Sequence, residues 1–164
     1  MLTDPKVEER TEQHYMAICS EVNMKNISTV LPPLIPQIRA WMDKNNIIPS
    51  GPPFFKYFSM DKNDHLQVDV GIPVASPMRG EGKIVPDTFP AGKYATIIYT
   101  GDYRHLKDAH MALEEWMTKK GLNDRLSGNE QKAVWRGRTE FYLVDESSEP
   151  DPEKWQTEIT FLLK

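Results

Sequence analysis

Two carboxylates and two tyrosines in matching positions of a duplicated pattern are the groups of this chain best placed to do chemistry: Asp69 with Glu158, and Tyr57 with Tyr142. An acid lined by aromatic rings is a receptor for a lipophilic cation. Each ring face attracts positive charge by about 0.5 to 2 kcal/mol, and the carboxylate supplies the counter-ion. Burial raises a carboxylate's pKa, so the same group could instead exchange a proton with a bound electrophile. A carboxylate on an amphipathic strand is also, in the bland case, simply solvated, and periodicity alone leaves these readings open. Phe55, Trp116 and Trp135 are further candidate walls. Trp116 lies on a helix stripe, where core packing is the simpler role, and Trp135 lies in a polar insert.

The elements that must position these groups are written twice. Leu31, Leu34, Ile35, Ile38, Trp41 and Met42 reappear 75 positions later as Leu106, Ala109, His110, Leu113, Trp116 and Met117. Both sets recur at i, i+3, i+4, i+7, i+10 and i+11, which predicts amphipathic helices over about 32–46 and 104–120, the second stopped by Gly121. Alternating apolar and β-branched residues predict strands at 15–21 and 94–99 before the helices, and at 54–58, 67–74, 139–144 and 155–163 after them.

Each half, about 1–75 and 83–164, therefore reads strand, helix, strand, strand. The loop 76–90 between them is expected to be irregular apart from a short strand near Ile84-Val85. The expected fold is a single α+β domain over 1–164: a tandem βαββ repeat with pseudo-two-fold symmetry, an antiparallel sheet with two helices on one face, and a ligand cleft on the other. Register turns Val68, Val70, Ile72, Ile159, Phe161 and Leu163 toward the helices and Asp69 and Glu158 away from them, where Tyr57 and Tyr142 are expected to join the acids.

Composition removes several classes of function. The 164 residues suit one domain with a sizeable core and no disulfides. The lone Cys19, in an apolar alternating run, reads as an inert core thiol. A polar start without a secretory signal points to a reducing, cytoplasmic setting. The net charge of −4 without a dense basic run argues against direct nucleic-acid binding. No stretch approaches the roughly 20 apolar residues that span a bilayer, so no membrane association is expected. His14, His65, His105 and His110 show no metal-ligand spacing, and no phosphate loop, Gly-x-Ser-x-Gly elbow or Cys-x-x-Cys occurs. No metal and no cofactor are expected.

Six features follow one another along the chain: Gly51-Pro52-Pro53-Phe54 with Tyr57, Asp69-x-x-Ile72-Pro73-Val74, Pro90-Ala91-Gly92-Lys93-Tyr94-Ala95, Thr100-Gly101-Asp102-Tyr103, a helix ending in Trp116, and Trp155-x-Thr157-Glu158-Ile159. In order and spacing they resemble the gyrase-inhibitor-like (GyrI-like) small-molecule-binding proteins, which are similar to the effector-binding domains of AraC-type and MerR-type transcription regulators. The resemblance spans essentially the whole chain. It implies a pseudo-symmetric cleft for a hydrophobic, often cationic, molecule, with an acid on a central strand among aromatic side chains, and Glu158 is the matching position. The helix-turn-helix of the full regulators is absent, which implies a stand-alone binding protein. Some stand-alone members of the family are hydrolases of reactive cyclopropane-containing compounds, which implies a second reading with Glu158 and Tyr142 as the acid/base pair. A protein-interaction role, such as a gyrase modulator, is a third.

Overall fold

The computed structural model describes residues 1–124, 126–129 and 132–164, with the side chains of 125–137 outside the description. In chain order its elements are β1 (Lys6–Arg10), β2 (Gln13–Asn23), α1 (Ile27–Val30), α2 (Leu34–Lys44), β3 (Phe54–Asp61), β4 (His65–Val74), β5 (Ile84–Phe89), β6 (Gly92–Thr100), α3 (Leu106–Lys120), β7 (Leu126–Asn129), β8 (Lys132–Val144) and β9 (Gln156–Leu162). Single 3-10 turns occupy Tyr103–His105 and Pro152–Lys154.

Local chemistry sets the boundaries. Pro32 and Pro33 offer no N–H to the carbonyls of the preceding turn, so helix stops at Leu31 and restarts at Leu34. At the other end of the duplication, α3 terminates on Gly121 at φ 70°, a left-handed conformation that glycine adopts without a Cβ penalty. Two strands exceed expectation. β5 runs six residues rather than two, and its Pro86 is tolerated because β5 lies at the end of the sheet. β1, Lys-Val-Glu-Glu-Arg, is too polar for apolar alternation to reveal it.

Eight strands form one antiparallel path, β1-β6-β9-β8-β3-β4-β2-β5, and β7 pairs with β8 beside it. The repeat is visible in this order: β2-β4-β3 and β6-β9-β8 are the same arrangement, meeting at β3/β8. The path cannot be flat. β1 and β2 are joined by only Thr11 and Glu12, which reach about 11 Å, yet six strand spacings of about 4.8 Å separate them along the sheet. The same holds for β5 and β6, joined by Pro90 and Ala91. The sheet must therefore curl until its ends approach, giving an inner and an outer face.

Both helices lie on the outer face, α2 on β2 and β4 and α3 on β6, so the central β3/β8 pair falls in the gap between them. Ile38 and Met42 of α2 bury against Val68, Val70 and Ile72, while Ala109, Leu113 and Met117 of α3 bury against Ile97, Ile159 and Phe161. These strand residues face the helices as register predicts.

The inner face is packed with rings. Tyr15, Phe54, Phe89 and Phe141 are buried together, with centroids 4.8 to 5.7 Å apart. A hollow beside them, bordered by Arg10, Phe89 and Phe141, measures only about 20 Å³. Phe54 lies over its strand partner Gly71. A Cβ at Gly71 would come within 2.6 Å of the Phe54 ring and 2.7 Å of the Met16 carbonyl oxygen. Gly71→Ala is accordingly expected to cost about 1–3 kcal/mol, read from the urea midpoint, because neither neighbour can retreat without disturbing the ring cluster.

Candidate functional site

Reading across the outer face at the level of the seam gives the row Ile18, Val70, Phe55, Glu140, Ile159, Ile97, each paired with the next. Five members are apolar and one is a carboxylate. The row is also pseudo-symmetric. An offset of 85 relates Phe55 to Glu140 and Tyr57 to Tyr142, and Phe55 and Glu140 pair directly, so they sit where the two halves exchange. One half supplies a phenyl ring to the axis and the other an acid.

Glu140 is 5% exposed, and both its oxygens are occupied. The hydroxyls of Tyr57 and Tyr142 donate to Oε1 at 2.7 and 2.9 Å. His110 of α3 meets Oε2 at 2.7 Å through Nε2, which must carry the proton because a carboxylate only accepts. Phe55 packs edge-on to Tyr142 at 5.0 Å, and Tyr103 to Tyr142 at 5.7 Å. Trp155 stacks on Tyr103 at 4.7 Å, its indole N–H donating to the Glu149 carbonyl at 2.8 Å. Tyr57, Tyr103, His110 and Trp155 are part-exposed and stand around the buried floor of Glu140 and Tyr142.

Electrostatics follow from this closure. Burial alone pushes the Glu140 carboxyl up, but His110 and the two tyrosine hydroxyls outweigh it and hold the group below its ordinary value, so it stays ionised. Burial first, then the adjacent Glu140 charge, pushes Tyr57 and Tyr142 well above the ordinary phenol value. They remain hydroxyls and donate to the acid. The assembly is thus an ionised carboxylate held by two neutral tyrosine hydroxyls and the His110 imidazole, walled by rings, in the gap between two helices.

The residues singled out from sequence divide between the two faces. Phe55, Tyr57 and Tyr142 lie on the outer face at this site. Glu158 lies on the inner face, where Arg10 holds it in an ion pair of 2.9 Å. The expected grouping of Glu158 with Tyr142 is not formed: Tyr142 pairs with Thr157, so its side chain and that of Glu158 point to opposite faces. Asp69 is also on the inner face, accepting from the Tyr15 hydroxyl at 2.8 Å, with Lys56 beside the same hydroxyl at 3.4 Å. A cleft on that face gathering both acids and both tyrosines is therefore replaced by the packed ring cluster. Trp116 packs against the α3 core, and the Trp135 side chain lies outside the described residues. Cys19, expected in the core, is exposed.

Glu140 and His110 are the groups that sequence reasoning missed. Parity in the run Thr139-Glu140-Phe141-Tyr142 puts Glu140 beside Tyr142, and His110 is the polar member of the second helix stripe, at the position of Ile35 in the first.

A family model described as GyrI-like small molecule binding domain matches residues 3–164. No curated protein sequence matches the chain. Among solved structures, the EcmrR C-terminal domain superposes with a TM-score of 0.77 at 21% identity, covering 98% of this chain and 97% of that one. Against EcmrR in its complex with DNA the TM-score and identity are the same, and the chain spans 57% of that protein's length. A hydrolase from Listeria innocua gives a TM-score of 0.63 at 12% identity, covering 98% of this chain and 91% of that one. SAV2435 bound to tetraphenylphosphonium gives 0.62 at 9% identity, covering 99% and 94%. At these identities the likeness establishes the fold.

Proposed function

The chain belongs to the GyrI-like small-molecule-binding family, related to the effector-binding domains of transcription regulators, and on that premise we propose that it takes a hydrophobic, aromatic cation anchored at Glu140. The observation that carries this reading is one buried, ionised carboxylate at the centre of an otherwise apolar row, in the gap between α2 and α3. A monocation with aromatic substituents satisfies both parts: its charge meets Glu140, and its rings stack on Tyr103 and Trp155. That SAV2435 holds tetraphenylphosphonium on a similar fold supports the choice of probe.

A thermal-shift comparison of tetraphenylphosphonium with neutral triphenylphosphine oxide tests the reading. The cation is expected to raise the melting temperature by several degrees more than its neutral counterpart, as binding to the folded state does by mass action. Equal responses would leave the acid without a role.

A second reading is favoured by the short contacts of Glu140 with two hydroxyls that stay protonated. In that reading Glu140 takes a proton from a water that attacks an electrophilic ring carbon, the strained ring C–C bond breaks, a tyrosine hydroxyl gives its proton to the carbon released, and the proton on Glu140 returns to the tyrosinate. The chain would then hydrolyse a reactive cyclopropanoid, in keeping with the hydrolase from Listeria innocua of similar fold. Mass spectrometry of a cyclopropanoid incubated with the protein separates turnover from capture.

A further inference from the structure

We propose that His110 sets the charge preference of this site by competing with a cationic ligand for Glu140; the inference rests on Glu140 being the anchor proposed above. Glu140 has three donors, and two of them, Tyr57 and Tyr142, are held as neutral hydroxyls. His110, at 2.7 Å, is the donor whose charge can change. With His110 protonated the cluster is neutral overall, and an incoming monocation meets an imidazolium already paired with its counter-ion. With His110 neutral, Glu140 presents a full negative charge to the ligand.

The surroundings leave this exchange to the His110–Glu140 pair. Arg138 of β8 lies over the Phe161 ring at 4.2 Å, and the same ring faces the imidazole. The Arg138 guanidinium is engaged by Glu114 of α3 and by Asp124, each at 2.7 Å. The second wall offers no counterpart, because α2 carries Ile35 where α3 carries His110. The duplicated scaffold thus holds one acid and one titratable base at its seam, each from the second half. Ligand charge is selected by one proton: neutral aromatic compounds are favoured when His110 is protonated and cations when it is not.

Calorimetry of tetraphenylphosphonium binding, with triphenylphosphine oxide as neutral control, tests this across the pH range over which the protein stays folded. In the wild type, cation affinity is expected to rise with pH, and binding at the acid end to release protons, seen as a dependence of the heat on buffer ionisation. His110→Gln keeps a donor toward Glu140 but never carries charge. It is expected to bind the cation roughly tenfold tighter at the acid end, with a flat pH profile and no proton release. A pH profile in His110→Gln matching the wild type would overturn the proposal. So would wild-type cation binding without proton release at the acid end, a measurement that does not depend on the variant folding. If Glu140→Gln leaves cation binding intact, the anchor itself is misassigned and this inference falls with it. If Glu140→Gln abolishes binding while His110→Gln changes nothing, only the role of His110 is lost.

Discussion

Glu140→Gln is expected to weaken tetraphenylphosphonium binding by roughly a hundredfold, whereas Glu158→Gln changes it by no more than about twofold. Glutamine matches glutamate in shape, and its carbonyl still accepts from the Tyr57 and Tyr142 hydroxyls. What disappears is the charge, in a site where water is largely excluded and an unscreened counter-ion is worth about 2–4 kcal/mol. Glu158 is no less acidic by type, but its charge is answered by Arg10 on the other side of the sheet. Stability should carry a second signature. His110 and the tyrosine hydroxyls, working against burial, depress the folded-state pKa of Glu140. Such a group contributes stability above its unfolded pKa, and the contribution is lost as pH falls through the folded value. The stability gap between wild type and Glu140→Gln should therefore narrow on acidification below the ordinary carboxylate range, as followed by urea unfolding. Equal losses of ligand affinity in the two variants would remove Glu140 as the anchor.

Periodicity exposed the duplicated helices, the succession of strand, helix, strand and strand along each half, and the faces of β4 and β9, because each is a local consequence of which side chains must be buried. Even the placement of Asp69 and Glu158 away from the helices was legible. The position of the ring cluster was not, for two reasons that no local pattern encodes. The helices cover β2, β4 and β6 but leave β3/β8 between them. The free face closes because Thr11-Glu12 and Pro90-Ala91 bring the sheet's ends together. A flat sheet with one covered face would have its cleft on the other; a curled one fills that face with Tyr15, Phe54, Phe89 and Phe141. Glu140 then escaped notice because the more apolar face of its strand is that of Phe141 and Leu143, whereas the face that meets the helix side carries Glu140 and Tyr142. The register pairs Tyr57 with Val68 and so puts both tyrosines on the helix side.

Phe54→Ala should be the most destabilising of the substitutions considered, by about 3–5 kcal/mol, and it separates a core from a cleft on the inner face. The Phe54 side chain is fully buried and touches three other rings at centroid distances of 4.8, 4.8 and 5.7 Å. Its removal forfeits both the transfer of a phenyl group from water and the edge-to-face contacts. The void cannot easily collapse, because the strands on either side are fixed by their ladders and Gly71 has no side chain to move in. Against a total stability of about 5–15 kcal/mol for a domain, a loss of this size lowers the urea midpoint by a large fraction. Val85→Ala, at an exposed position of β5, should shift stability by less than about 0.5 kcal/mol. If the inner face were instead an open ligand site, Phe54 would be a wall rather than a keystone. Its truncation would then leave the midpoint nearly unchanged and alter ligand affinity. The curled sheet requires the opposite: a collapse in stability, and, in whatever fraction remains folded, cation binding at Glu140 that persists because that site lies across the sheet from the cavity.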